Sequence, residues 1–324
     1  MVAREVPRRV ALAGTGTAEP EIWSAEYSAE KTRNGQKITL AMYRKRLGPP
    51  QPGEQPRPVL FLVHGSSISA RSSYDLSVPG HGEYSTMNVF ARAGFDVWTM
   101  DHEGYGKSSR TDGNSDIASG VEDLKAAVEI VARETQQSRY HFLGESSGAI
   151  RAGAFAAAMP DRVDRLLLGA FTYTGKGSPT LAKRAEGLDY FRTHNRRLRD
   201  RAMIESIFTR DRPGTTDPAV APALADMELV HGDTVPTGTY LDMTSNLPLV
   251  DPTKLTCPVC MLRGEFDGIA TDEDLLDFYR QLPNGDRQYS IIAGAAHALI
   301  TCRNRAAFWH IVHAFLTMPP PPMP

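Results

Sequence analysis

The chain has 324 residues, of which 41% are hydrophobic and 23% charged, and its formal net charge is −2. These values are close to the averages of soluble globular proteins, which excludes a collagen-like or disordered chain. Because a nearly neutral chain lacks the positive field that attracts nucleic acids and anionic membranes, we expect a small-molecule substrate and neither a nucleic acid nor a membrane as partner.

The N-terminus and the cysteines indicate a cytoplasmic protein without a disulfide framework. The apolar run after Arg9 is shorter than the core of a signal peptide, and no window has the roughly 20 apolar residues of a transmembrane helix. The three cysteines are an odd number. Cys257 and Cys260 lie in a run that resembles a buried strand, which would place them about 10 Å apart, beyond the reach of a disulfide.

The predicted elements begin with a β-hairpin and continue as an alternating pattern. Two strands flank a turn at Asn34-Gly35, and a proline-rich connector follows. Strands are then predicted at residues 58–65, 95–104, 139–146, 162–171, 257–266 and 287–296, and helices at 120–135, 147–159, 272–282 and 305–318. Continuous apolar strands between amphipathic helices predict an α/β fold with a mostly parallel, doubly wound sheet.

One long segment interrupts this pattern. Residues 173–256 contain helical stretches and a Pro/Gly/Thr-rich break but no convincing strand, and they are too many for a simple connection. We therefore predict a discontinuous core of residues 20–172 and 257–318, with 173–256 as a mainly helical cap over the active edge of the sheet. The basic run 192–201 within it is interpreted as a solvated helix face. Residues 319–324 are predicted to be a disordered tail.

The stretch Gly144-Glu145-Ser146-Ser147-Gly148 fits the pattern G-x-S-x-G only with Ser146 at its centre. A predicted strand precedes it and a predicted helix follows, which is the context of a nucleophile elbow. A serine nucleophile requires a base that is oriented by an acid. Asp267 and His297 each follow a later predicted strand, in the order that this fold requires, and Glu265 is the alternative acid.

On these residues the chain resembles the α/β-hydrolase superfamily, in its lid-bearing esterase, lipase and serine-aminopeptidase-like branch, from about Trp23 to Met318. The resemblance implies that Ser146 is the nucleophile, Asp267 the acid and His297 the base. It also implies an oxyanion hole formed by the backbone N–H groups of Ser66 and Ser147. We expect no metal, because the sequence has no H-E-x-x-H and no paired C-x-x-C. We expect no cofactor, because neither Gly104–Ser109 nor Gly14–Gly16 fits a nucleotide-binding motif.

The leading hypothesis is a serine hydrolase that cleaves carboxylic esters of small hydrophobic or aromatic substrates. Apolar residues of the predicted cap are candidates for its pocket: Tyr173, Phe191, Met203, Met227 and Tyr240. Amide, lactone and carbon–carbon bonds are alternative targets of the same triad, and a non-catalytic small-molecule receptor is an alternative of another class. Glu145 is predicted to be partly buried and paired with an arginine such as Arg151. A homo-oligomer is left open.

Overall fold

A computed structural model describes residues 21–319 of the chain. The expectations for the N-terminal segment and for residues 320–324 of the tail lie outside the described residues. The first described elements are β1 (Ile22–Arg33) and β2 (Gln36–Leu47), which pair antiparallel around Asn34-Gly35. Both turn residues have positive φ angles, 51° and 76°. The predicted hairpin is thus confirmed.

Eight strands form one mixed sheet, in the order β1-β2-β4-β3-β5-β6-β9-β10. Its remaining strands are β3 (Val59–Val63), β4 (Asp96–Met100), β5 (Tyr140–Glu145), β6 (Val163–Gly169), β9 (Val259–Gly264) and β10 (Arg287–Ile292). β2 pairs antiparallel with β1 and β4, and every other pair in the sheet is parallel. The predicted mostly parallel sheet is confirmed.

Helices cover both faces of this sheet. The core helices are α1 (Ala70–Tyr74), α2 (Thr86–Arg92), α3 (Ile117–Thr135), α4 (Ser147–Ala158), α10 (Asp272–Gln281) and α11 (Arg305–Thr317). Successive side chains of β5 enter different cores: Phe142 packs with residues of α3, α4 and α10, and Leu143 packs with residues of α2 and α11. This alternation explains why the adjacent residues Phe142 and Leu143 of β5 are both apolar. No helix within residues 21–319 combines the length and the hydropathy that crossing a bilayer requires.

The segment 173–256 leaves the sheet after β6 and returns before β9. It contains five helices and two short strands: α5 (Pro179–Ala185), α6 (Leu188–Thr193), β7 (Arg196–Leu198), α7 (Arg201–Ile207), α8 (Val220–Leu229), β8 (Thr234–Pro236) and α9 (Gly238–Ser245). β7 and β8 pair antiparallel, so the expectation of no strand was wrong. Three residues are too few for an alternating pattern to be recognised in the sequence.

The basic run 192–201 also differs from its interpretation as a solvated helix face. Arg196 and Arg197 lie on β7, and Arg199 is 2% exposed. The guanidinium of Arg199 forms an ion pair with Glu228 of α8, which is fully buried. A partner carboxylate contributed from 29 positions away is what allows this arginine to be buried.

The cysteines are free and buried, as the sequence indicated. Cys260 lies within β9, whereas Cys257 precedes the strand by two residues. Burial raises the pKa of the Cys257 thiol to about 11. This thiol is therefore protonated and unreactive at neutral pH.

Candidate active site

Ser146 lies in a sharp turn between β5 and α4. Its φ and ψ angles are 59° and −129°, a sparsely populated region for a residue with a side chain. The turn brings Gly148 so close to β3 that a Cβ atom there would clash with the carbonyl of Val63. The second glycine of the motif is therefore required by packing, and the turn exposes the serine at the carboxyl edge of the sheet.

The structure brings Ser146, His297 and Asp267 together. His297 Nε2 lies 3.0 Å from Ser146 Oγ, and His297 Nδ1 lies 2.9 Å from Asp267 Oδ1. Asp267 follows β9 and His297 follows β10, so both reach the edge at which β5 ends. A proton on Nδ1 donated to Asp267 leaves Nε2 free to accept the serine proton. Glu265, the alternative acid, instead accepts the N–H of Gly294 at 2.8 Å.

The environment of Asp267 keeps its carboxylate charged. Burial alone raises the pKa of this group, since Asp267 is 2% exposed. The charge and hydrogen bond of His297 and the N–H of Ile269 outweigh this effect, and the pKa lies below its ordinary value. An ionised carboxylate in this position is able to hold the imidazole in one tautomer and to stabilise an imidazolium. The catalytic roles of Ser146, His297 and Asp267 stay predictions.

The loop His64–Ser69, which follows β3, lies against the elbow. Ser66 Oγ is 2.8 Å from Ser147 Oγ, so the two segments predicted to form the oxyanion hole are neighbours. A Cβ atom on Gly65 would lie 2.8 Å from the carbonyl oxygen of Glu145, and glycine is what permits this approach. Ser67 has a φ of 77°. The roles of the Ser66 and Ser147 N–H groups as oxyanion donors stay predictions.

A buried ion pair of the segment 173–256 supports this loop, and the sequence did not reveal it. Arg199 Nη1 donates to the carbonyl of Ser67 at 2.9 Å and pairs with Glu228. The other carboxylate oxygen of Glu228 accepts the N–H of Ser69 at 3.0 Å and its hydroxyl at 2.6 Å. No signal in the sequence marked Glu228, because α8 carries a second carboxylate at Asp226 that remains exposed. We call Arg199 and Glu228 the buried clamp.

Two hydroxyl groups of α9 add to the contacts of this loop. Thr239 Oγ1 lies 2.7 Å from Ser66 Oγ. The hydroxyl of Tyr240 hydrogen-bonds to Ser67 Oγ. The conformation of the loop therefore depends on α8, α9 and Arg199 as well as on the sheet that precedes it.

Glu145 contacts the turn that carries the histidine. Its Oε1 accepts the N–H groups of Leu299 and Ile300 at 2.8 Å and 3.3 Å. The predicted pairing with Arg151 was wrong. Arg151 is fully buried against α3 and donates to the carbonyl of Ser115 instead. Glu145 thus connects the elbow to the segment that follows His297.

Replacing Glu145 by glutamine is expected to change how stability depends on pH. Burial raises the pKa of Glu145 from 4.5 to about 7, although His297 and the two N–H groups oppose this. The folded protein then binds this proton more tightly than the unfolded chain does, so the contribution of Glu145 to stability declines as pH rises from about 4.5 to 7. The free energy of unfolding of Glu145→Gln minus that of wild type, measured by urea unfolding, should therefore increase from pH 5 to pH 8.

The control for this comparison is Glu122→Gln, at an exposed carboxylate on α3. Subtracting the free energy of unfolding of wild type from that of each variant at each pH removes the titrations that all three proteins share. If the difference in free energy of unfolding between Glu145→Gln and wild type were the same at pH 5 and at pH 8, the pKa of Glu145 would not be raised.

Two adjoining cavities lie beside the triad. The inner one, of about 80 Å³, is lined by Ser146 and His297. The outer one, of about 940 Å³, lies among the helices of the segment 173–256. The two share four lining residues: Ser67, Arg184, Ile207 and Arg210. A substrate that reaches Ser146 from the outer cavity must pass these residues.

The predicted pocket residues divide between lining and packing. Phe191, Met203 and Tyr240 line the outer cavity. Tyr173 does not; its ring packs against Phe278 of α10 at 5.1 Å between centroids. Met227 packs into a hydrophobic cluster with residues of α7 and α8. In both cases the side chain packs against a neighbouring helix, and an apolar residue type alone does not distinguish packing from lining a cavity.

Comparisons with known proteins agree with this geometry. Residues 54–302 match the family profile described as serine aminopeptidase, S33. Over 116 residues the chain is 33% identical to a 2-hydroxy-6-oxononadienedioate/2-hydroxy-6-oxononatrienedioate hydrolase of Paraburkholderia phymatum, covering 34% of each chain. Over 158 residues it is 27% identical to Lipase 3 of Drosophila melanogaster, covering 44% of this chain and 39% of the lipase. The chain thus matches little more than a third of the length of these relatives.

A comparison of structures extends over nearly the whole chain. The crystal structure of a bromoperoxidase from Bacillus anthracis superimposes with a TM-score of 0.65 at 18% identity, covering 91% of this chain and 100% of the other. At that identity the likeness concerns the fold. The family profile, in contrast, spans most of the chain, from the residues before β3 to those after His297. The chain is therefore a hydrolase that belongs to the serine aminopeptidase S33 family of the α/β-hydrolase superfamily.

Proposed function

We propose that the protein hydrolyses carboxylic esters of small hydrophobic or aromatic substrates through an acyl-enzyme on Ser146. The observation that carries the proposal is the hydrogen-bonded series Ser146–His297–Asp267, with distances of 3.0 Å and 2.9 Å, at the base of a cavity. A serine so placed has the base and the orienting acid that a neutral hydroxyl needs to become nucleophilic.

The reaction would proceed in two halves. Ser146 Oγ attacks the ester carbonyl while His297 Nε2 takes its proton, and Asp267 stabilises the resulting imidazolium. The N–H groups of Ser66 and Ser147 would donate to the oxyanion. His297 then returns the proton to the departing alkoxide, which leaves as an alcohol. Water, deprotonated by the same histidine, attacks the acyl-enzyme and releases the carboxylic acid with Ser146 restored.

The inner cavity favours a short acyl group. Its volume is about 80 Å³, and its walls include five apolar side chains: Ile68, Ile207, Phe208, Leu224 and Ile300. The outer cavity offers more room for the other part of the ester. In this proposal the segment 173–256 acts as the cap, because it supplies most of the outer lining as well as Ile207, Phe208 and Leu224.

A second candidate is hydrolysis of a carbon–carbon bond. It is favoured by the 33% identity to the 2-hydroxy-6-oxononadienedioate/2-hydroxy-6-oxononatrienedioate hydrolase, although the match covers 34% of that protein. The same triad geometry supports this chemistry, since one constellation serves several bond types. The family description also keeps amide bonds among the alternatives.

Initial rates on three substrate classes test the proposal. The panel contains p-nitrophenyl esters from acetyl to decanoyl, alanine p-nitroanilide, and a 2-hydroxy-6-oxo-dienoate followed by its absorbance. We expect the highest kcat/KM with a short-chain ester and a decline as the acyl group outgrows the inner cavity. A Ser146→Ala preparation measures contaminating host esterase. A higher kcat/KM for the dienoate or the anilide would replace the ester proposal with the corresponding alternative.

A further inference from the structure

Three arginines line the cavities beside the triad. Arg184 and Arg210 line both cavities, and Arg197 lines the outer one. In the outer cavity, cationic side chains outnumber carboxylates four to two, the remaining members being Lys183, Glu186 and Asp211. A chain with a net charge of −2 therefore concentrates positive charge at the approach to its nucleophile.

Arg184, which lines both cavities, lacks a compensating acid. It is half-buried on α5, with its guanidinium 4.8 Å from the centroid of the Tyr240 ring. Its Nη1 contacts the sulfur of Met243 at 3.5 Å. Arg197 lies 4.9 Å from the same tyrosine ring. Throughout residues 21–319, neither arginine has a carboxylate within salt-bridge distance. Most N–H donors of the Arg184 guanidinium are consequently available to a ligand.

Each carboxylate near these arginines has another partner. Asp211 accepts from Arg210 Nε at 3.4 Å, and Glu186 pairs with the exposed Lys183. In the inner cavity, Glu145 accepts the two N–H groups of the histidine turn. None of these three acids forms a salt bridge with Arg184.

The electrostatics of Arg184 reflect this lack of compensation. Burial lowers the pKa of Arg184 to about 10, with Arg210 and Arg197 acting in the same direction and Tyr240 and Asp211 in the opposite one. The guanidinium remains protonated at neutral pH. A half-buried charge beside two other cations is unfavourable in the empty site, and an anion bound there would relieve it.

We propose that Arg184, with Arg210 beside it, forms a carboxylate-binding subsite at the junction of the two cavities. The substrates would be esters that carry a second, anionic carboxylate a few bonds from the scissile carbonyl. Guanidinium groups bind carboxylates through paired N–H donors, which orients the substrate as well as attracting it. This inference rests on the proposed ester hydrolysis for its catalytic consequence, but the subsite itself binds an anion without turnover.

The kinetic test compares esters that differ in charge and match in shape. Mono-p-nitrophenyl glutarate is paired with p-nitrophenyl 5-methylhexanoate, and 4-carboxyphenyl acetate with 4-isopropylphenyl acetate, so that the carboxylate lies on the acyl or on the alcohol side. We expect wild type to prefer the charged ester of one pair. Arg184→Met should lower kcat/KM for that ester about 10- to 100-fold more than it lowers kcat/KM for the neutral ester of the same pair.

The matched control is Arg192→Met, which removes the same charge from an exposed position on α6 that lines neither cavity. Arg192→Met should leave kcat/KM unaffected for both the charged and the neutral ester of each pair. The subsite would be overturned if Arg184→Met lost kcat/KM equally on charged and neutral esters. It would also be overturned if wild type preferred neither charged ester over its neutral partner.

A binding measurement separates this inference from the proposed function. Glutarate at millimolar concentration should raise the melting temperature of wild type and of Arg192→Met, and not that of Arg184→Met. If no ester is turned over but this pattern holds, the subsite stands and the ester proposal fails. If esters are turned over and glutarate stabilises all three proteins equally or none of them, the ester proposal stands and the subsite fails.

Discussion

Replacing Ser146 by alanine is expected to lower kcat/KM for the best ester by about 10⁴-fold or more, the scale found when the nucleophile of a serine triad is removed. The change deletes the one oxygen that lies 3.0 Å from His297 Nε2. The fold should be retained, because alanine occupies the same backbone position with one atom fewer. Steady-state kinetics and covalent labelling by a fluorophosphonate, followed by mass spectrometry, measure the effect: wild type should gain one adduct and Ser146→Ala none.

The adjacent serine provides the matched control. Ser147→Ala retains the backbone N–H that is proposed to bind the oxyanion and loses the hydroxyl contact to Ser66. It should therefore keep covalent labelling and lose no more than about tenfold in kcat/KM, the scale of one uncharged hydrogen bond. Labelling that persists in Ser146→Ala would identify another nucleophile. A well-folded wild type that neither labels nor turns over any substrate would favour the receptor alternative.

The site residues that the sequence predicted are those whose positions depend on short motifs and on the strands that precede them. Ser146, Asp267 and His297 each follow a buried strand, and parallel strands necessarily end at a common edge. The elbow was recognisable because Gly144 and Gly148 flank the serine symmetrically. For the same reason the hairpin at Asn34-Gly35 and the mostly parallel sheet were predictable: each depends on residues that are close in the sequence or on a repeated period.

The parts that escaped prediction depend on contacts between distant segments. Arg199 and Glu228 come from different elements of the segment 173–256 and meet the loop His64–Ser69 more than 100 positions away. Arg184 resembles any basic residue of a surface helix until Tyr240 and the two cavities are placed around it. Glu145 was correctly expected to be partly buried, but its partners are backbone N–H groups, which no residue type reveals. Composition and spacing carry no information of this kind.

Glu228→Gln is expected to destabilise the protein by about 3 to 5 kcal/mol, because it leaves Arg199 buried without its counter-charge. The same variant should lower kcat for a short-chain ester, since the loop that carries the proposed oxyanion donor at Ser66 loses part of its support. Urea unfolding measures the first effect. Rates at a temperature where the variant is fully folded measure the second.

The structure offers a close control in Arg201 and Asp226, an ion pair that joins α7 and α8 at the surface. Arg201 and Asp226 are 47% and 71% exposed, in contrast to 2% and 0% for the side chains of the buried clamp. Asp226→Asn should therefore change stability by less than about 1 kcal/mol and leave kcat unchanged. Equal effects of Asp226→Asn and Glu228→Gln would contradict a special role for the buried pair.

A double variant distinguishes support of the loop from support of the fold. Arg199→Met with Glu228→Leu removes both charges together and fills their space with apolar groups, which commonly restores much of the stability that a single replacement loses. The carbonyl of Ser67 and the N–H of Ser69 nevertheless remain without their partners. We therefore expect the double variant to unfold at higher urea than Glu228→Gln and still to show a reduced kcat. If stability and kcat both recovered in the double variant, the buried clamp would act on folding alone. If stability recovered and kcat did not, the buried clamp would position the loop His64–Ser69.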